Sequence, residues 1–106
     1  MSVEEGLRKL LSSGRDWQRV AVKGSPGIFI VKAPAYRGKP SSLLVEINPV
    51  GDDGAPMKRR GMILRGREEL ETYRKLLSDK KLDTLLEAME KVNPRTEERE
   101  GEELEI

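Results

Sequence analysis

The sequence predicts an α+β domain: a four-stranded antiparallel sheet packed on one face by N-terminal and C-terminal helices. Three observations carry this. Apolar residues recur at helical spacing near both ends, β-rich runs punctuated by glycine and proline fill the middle, and 106 residues suffice for one modest core.

The elements follow in order. Ser2 caps a short helix in which Val3, Leu7, Leu10 and Leu11 share a face, and Ser12-Ser13-Gly14 ends it. Residues 17–23 read as a first strand, Ser25-Pro26-Gly27 as a hairpin connection and residues 28–33 as a second strand. A loop over residues 34–41 carries Tyr36, Arg37 and Lys39. Residues 42–48 form a third strand, residues 49–56 a turn centred on Gly-Asp-Asp-Gly, and residues 57–64 a fourth strand. After Gly66 the period becomes helical. Leu70, Tyr73 and Leu77 share a face, and Glu68 and Glu69 occupy the first turn, where the helix dipole favours acids. Ser78-Asp79 interrupts this pattern, and Leu82, Leu85, Met89 and Val92, widened by Leu86, then form an apolar stripe that Asn93-Pro94 stops. Residues 1–94 read as one domain and residues 95–106 as an acidic, disordered tail.

Composition excludes several function classes. Without cysteine or histidine there are no disulfides, thiol nucleophiles, imidazole bases or usual zinc sets, so neither an enzyme nor a cofactor is expected. Gly51-Asp52-Asp53-Gly54 lacks the spaced ligands and closing glutamate of a calcium loop and reads as a plain turn, so no metal is expected. No apolar run approaches the ~20 residues of a membrane span, and the N-terminus lacks a signal-peptide pattern, which predicts a soluble cytoplasmic protein. A 37% charged content with a single glutamine fits a thermophilic source.

The net charge of +1 conceals a partition. Residues 15–67 hold eleven Lys/Arg against four acids, whereas residues 95–106 hold two against six. The predicted sheet is therefore basic. Alternation puts Trp17, Arg19, Ala21 and Lys23 on one side of the first strand and Gln18, Val20 and Val22 on the helix-facing side. Unpaired nucleic acid needs cations along its phosphates and aromatic plates under its bases, and this segment offers both. The candidate contacts are Trp17, Arg19, Lys23, Phe29, Lys32, Tyr36, Arg37, Lys39, Lys58, Arg59 and Arg60. Phe29 and Trp17 also read as core, and Lys58-Arg59-Arg60 as charge that protects an edge strand. Leu82, Leu85, Met89 and Val92 read either as core or as a homodimer interface. The tail reads as a solubility device or as a competitor for the basic face.

The strand Ser-Leu-Leu-Val-Glu-Ile-Asn, the acidic glycine turn, Lys-Arg-Arg-Gly-Met-Ile-Leu and the helix Arg-Glu-Glu-Leu-Glu-Thr-Tyr-Arg resemble, in that order, the archaeal ThermoDBP-related single-stranded-DNA-binding proteins. A more distant resemblance is to the positive-cofactor-four type of transcriptional coactivator. Over residues 15–94 the resemblance implies a helix-backed four-stranded sheet, a homodimer or higher homo-oligomer, and sequence-independent single-strand binding. It matches Arg59, Arg60, Gly61 and Met62 to the family's basic strand, and Trp17 with Arg19 to its first-strand contacts.

The leading expectation is thus a sequence-tolerant binder of single-stranded DNA. RNA binding, with a transcription-associated role, is the nearest alternative. A protein-interaction adaptor is the alternative of another class, and a nuclease is the weakest, because the acids of the basic segment are scattered.

Overall fold

The computed structural model describes residues 2–94, so the expected acidic tail at 95–106 lies outside the described residues. The chain divides into two units, Met1–Leu70 and Glu71–Ile106. It contains helix α1 (Val3–Ser13), strands β1 (Arg19–Ala21), β2 (Ile28–Ala33), β3 (Ser42–Ile47) and β4 (Met62–Leu64), then helices α2 (Arg67–Leu77) and α3 (Lys81–Val92). This is the expected α+β class, with the helices flanking the sheet in sequence. Among the described residues no helix is long and apolar enough to cross a membrane.

The N-terminal helix starts and stops for local reasons. Ser2 Oγ accepts the Glu5 N–H at 3.1 Å, and the Gly14 N–H closes the last turn on the Leu10 carbonyl at 2.8 Å. Glycine is needed at position 14 because a Cβ there would lie 2.5 Å from that carbonyl oxygen.

The sheet is an antiparallel meander in the order β1-β2-β3-β4. Register aligns Arg19 with Val31 and Leu44, and Ala21 with Phe29, Glu46 and Ile63. Directly paired residues point the same way, so these side chains share one face. Val20, Ile30, Lys32, Val45 and Leu64 share the other. Lys32 donates from Nζ to the Gly14 carbonyl at 2.9 Å, which ties the end of α1 to that second face. The buried apolar residues among those described are Phe29, Val31 and Leu64, matched by three buried polar ones, Lys32, Glu46 and Asn48. Each of those polar side chains is satisfied, because no buried side-chain nitrogen or oxygen of the described residues lacks a hydrogen bond.

Two strands begin later than their sequence patterns predict. β1 begins at Arg19 rather than at Trp17, because a bulge intervenes: the Trp17 N–H donates to the Lys32 carbonyl at 2.7 Å while the Lys32 N–H donates to the Gln18 carbonyl at 3.1 Å. Two residues oppose one, and Trp17, the first of the pair, has φ 64°, the left-handed conformation this bulge type requires. β4 begins at Met62 rather than at residue 57. Residues 57–61 arch away instead, because Asn48 and Glu46 capture their backbone groups before a strand partner can.

In the second unit, α2 ends at Leu77 and α3 begins at Lys81, whose N–H meets Asp79 Oδ1 at 2.9 Å. The predicted break at Ser78-Asp79 is therefore present. Neither helix contains a buried residue, and Leu85, Leu86, Met89 and Val92 are all exposed.

Candidate nucleic-acid interface

The meander sorts the candidate residues to the two ends of the sheet. At one end lie Trp17, preceding β1, and the tip of the β2–β3 hairpin. That tip is a two-residue turn: Tyr36 and Lys39 exchange N–H···O bonds of 3.0 and 2.9 Å across Arg37-Gly38. Both turn residues have positive φ, 46° and 79°, which defines the mirror-image turn whose twist suits a hairpin. Trp17 is 66% exposed and Tyr36 65%, and the Arg37 guanidinium lies 5.1 Å from the centre of the Tyr36 ring. This end therefore holds two exposed aromatic plates with Arg37 and Lys39 beside them. Trp17 and Arg37 are also the two non-glycine residues with positive φ among the described residues. Left-handed backbone costs an L-residue about 1–2 kcal/mol.

At the other end lie Lys23, in the β1–β2 turn, and the exposed Lys58, Arg59 and Arg60. The backbone beneath the three consecutive cations is fixed by buried side chains. Asn48 Oδ1 accepts the Lys58 N–H at 3.1 Å, and Asn48 Nδ2 donates to the Lys58 carbonyl at 2.7 Å and to Glu46 Oε2 at 3.2 Å. The same Glu46 oxygen accepts the Gly61 N–H at 2.7 Å. A Cβ on Gly61 would lie 2.2 Å from the Ile47 carbonyl oxygen, so only glycine passes there.

Arg19 reaches from β1 to β3 and the basic end. Its guanidinium leaves β1, crosses β2 above the Phe29 ring at 5.5 Å from the ring centre, and grips Glu46 on β3 through Nε at 2.7 Å and Nη2 at 3.1 Å. Nη2 also donates to the Arg59 carbonyl at 3.3 Å. Burial alone would raise the Glu46 carboxyl, but hydrogen bonds from Gly61, Arg19 and Asn48, with the guanidinium's charge, outweigh it and hold the group below its ordinary value.

The predicted contacts therefore divide. Trp17, Tyr36, Arg37 and Lys39 gather at one end and Lys23, Lys58, Arg59 and Arg60 at the other, all on exposed residues. Three others are engaged by the fold, two of them buried and Arg19 on the surface. Phe29 is buried beneath Arg19, the core alternative for that residue; Lys32 is buried at the end of α1; and Arg19 is committed to Glu46. Glu46 and Asn48 were not singled out by sequence reasoning. Their signal is a polar pair two residues apart, hence on one face, in an otherwise apolar strand. Leu82, Leu85, Met89 and Val92 are exposed along α3. Comparison with protein-family models, curated proteins and solved structures gives no match for this chain.

Proposed function

We propose that this protein binds single-stranded nucleic acid without sequence preference, DNA being the favoured ligand. Bases stack on Trp17 and Tyr36, and Lys23, Arg37, Lys39, Lys58, Arg59 and Arg60 neutralise phosphates. One observation carries the reading: Trp17, a bulky residue in left-handed backbone, is two-thirds exposed at a bulge that glycine fills without strain. Core packing does not account for a residue so placed, whereas base stacking, worth about 1–3 kcal/mol per base, does. Arg19 and Phe29 are support rather than contact: they carry the guanidinium across the sheet to Glu46.

The proposal extends to self-association through α3. Leu82, Leu85, Met89 and Val92 form an exposed stripe on a helix of 12 residues, a length marginal in water without packing. A second copy of the same stripe is the partner proposed.

Fluorescence polarisation with labelled oligo-dT, a matching duplex and a matching RNA tests the reading. Expected is single-strand binding that weakens steeply with salt and falls about 5- to 150-fold in Trp17→Ala. Absence of binding to all three at low salt would overturn it and leave the adaptor alternative, and RNA bound more tightly than DNA would reassign the ligand.

A further inference from the structure

The basic arch at residues 57–61 has more internal order than a surface loop requires. Asn48, at 0% exposure, clamps both backbone groups of Lys58; Arg19 holds the Arg59 carbonyl; and Glu46 holds the Gly61 N–H. Only backbone is gripped, so the side chains of Lys58, Arg59 and Arg60 remain outside. The N–H groups of Arg59 and Arg60 have no hydrogen-bond partner among the described residues. Three consecutive cations repel one another, and a loop free to move would spread them. A buried carboxylate with its guanidinium is a poor source of net stability, because desolvation offsets most of the attraction. What the cluster supplies is geometry: one fixed backbone path under three positive charges. Cationic side chains held on one backbone path form charge-assisted hydrogen bonds that favour phosphate.

We infer that residues 57–61 form a preordered phosphate-binding loop, and that Asn48 and Glu46 are its positioning residues, holding the Lys58-Arg59-Arg60 backbone in the shape that receives a phosphodiester group. The inference rests on the nucleic-acid reading for its ligand, but it assigns a new role to two buried residues that touch no ligand. Gly61 belongs to the same device, since the chain returns to β4 through a gap that admits no side chain.

The test is a double-mutant cycle on oligo-dT binding, with Asn48→Ala and the triple variant Lys58→Ala/Arg59→Ala/Arg60→Ala, each checked for folding by thermal melting. Asn48→Ala is expected to weaken binding about ten-fold, the cost of ordering a free loop on the ligand, and to change nothing further in the triple background. Equal losses in both backgrounds, or binding like wild type in folded Asn48→Ala, would overturn the positioning role while leaving the nucleic-acid reading intact. Amide spectra of the wild-type protein test the loop without any substitution. The Lys58 and Gly61 amides are expected to exchange as slowly as those of β3, and the Arg59 and Arg60 amides to shift on addition of inorganic phosphate. Exchange at open-loop rates, or phosphate shifts confined to other residues, would sink the inference. Failure of the wild type to bind oligo-dT would instead remove the nucleic-acid reading, and the phosphate titration would then judge the loop alone.

Discussion

At the scale of single residues, Trp17 sets backbone strain against the proposed base stacking. Its left-handed φ of 64° is strained for any side chain, so the substitutions Trp17→Ala and Trp17→Gly separate strain from contact. Both remove the ring and both are expected to lose single-strand binding to the same degree. They differ in stability: the glycine variant is expected to be more stable than the alanine variant by about 1 kcal/mol, read from urea midpoints at constant slope. Equal stabilities would mean that the bulge is relaxed, and wild-type binding in either variant would remove Trp17 from the interface. Phe29 behaves in the opposite way. Buried beneath the Arg19 guanidinium, it is a packing residue, and Phe29→Leu is expected to lower stability by about 1–2 kcal/mol while leaving binding in the folded protein within two-fold. A large affinity loss in a variant of normal stability would return Phe29 to the ligand face.

At the scale of elements, the Arg19–Glu46–Asn48 cluster ties β1, β3 and the 57–61 arch together and makes their union depend on pH. Glu46 titrates below its ordinary value of about 4.5 in the folded chain, so the unfolded chain takes up its proton first as acid is added. The stabilisation is therefore fully present above that value and is lost as pH falls through the lower folded-state pKa. Glu46→Gln has no such charge to lose, so its stability is expected to fall less than that of wild type as the pH is lowered through and below 4.5, measured by thermal melting at constant ionic strength. Parallel curves for the two proteins would exclude Glu46 as the titrating group. The same cluster marks where sequence patterns stop being informative. Helix limits were legible because caps and breaks are local: Ser2, Gly14, Ser78-Asp79 and Asn93 act within a turn of themselves. The four-stranded antiparallel sheet was legible from alternation and turn chemistry. The start of β4 was not, because Met57-Lys58-Arg59-Arg60 alternates well enough for a strand, and what diverts it is the side chain of Asn48, ten residues away. The start of β1 was missed for a related reason. A tryptophan reads as a strand former, and only the backbone bonds at Lys32 reveal that Trp17 occupies a bulge. The candidate site was legible in its residue types, while its division into an aromatic end and a basic end follows from strand direction.

At the scale of the whole molecule, charge and self-association make separable predictions. Phosphate neutralisation releases counterions, so each contact adds about 0.7 to the slope of log affinity against log salt for a single strand. Removing Lys58, Arg59 and Arg60 together is expected to flatten that slope by about 2, whereas Trp17→Ala lowers affinity at every salt concentration and leaves the slope unchanged. A slope unaffected by the triple substitution would place the phosphates elsewhere. The apolar stripe of α3 is tested by sedimentation equilibrium. With Leu85 and Met89 at 57% and 49% exposure, none of the described residues covers this stripe, and the proposed pairing with a second copy would bury it from both sides. The wild-type chain is expected to sediment at twice its 12.0 kDa mass or more, and Leu85→Glu/Met89→Glu at the mass of one chain. If two chains present two arches and two aromatic ends, an oligonucleotide long enough to reach both binds with the advantage of linked sites, and a short one does not. The monomeric variant should therefore match wild type on short oligo-dT and fall behind it on long oligo-dT. A wild-type chain that sediments as a monomer would end the self-association proposal and leave single-chain binding standing; equal losses on short and long strands would show that the substitutions damage the site itself.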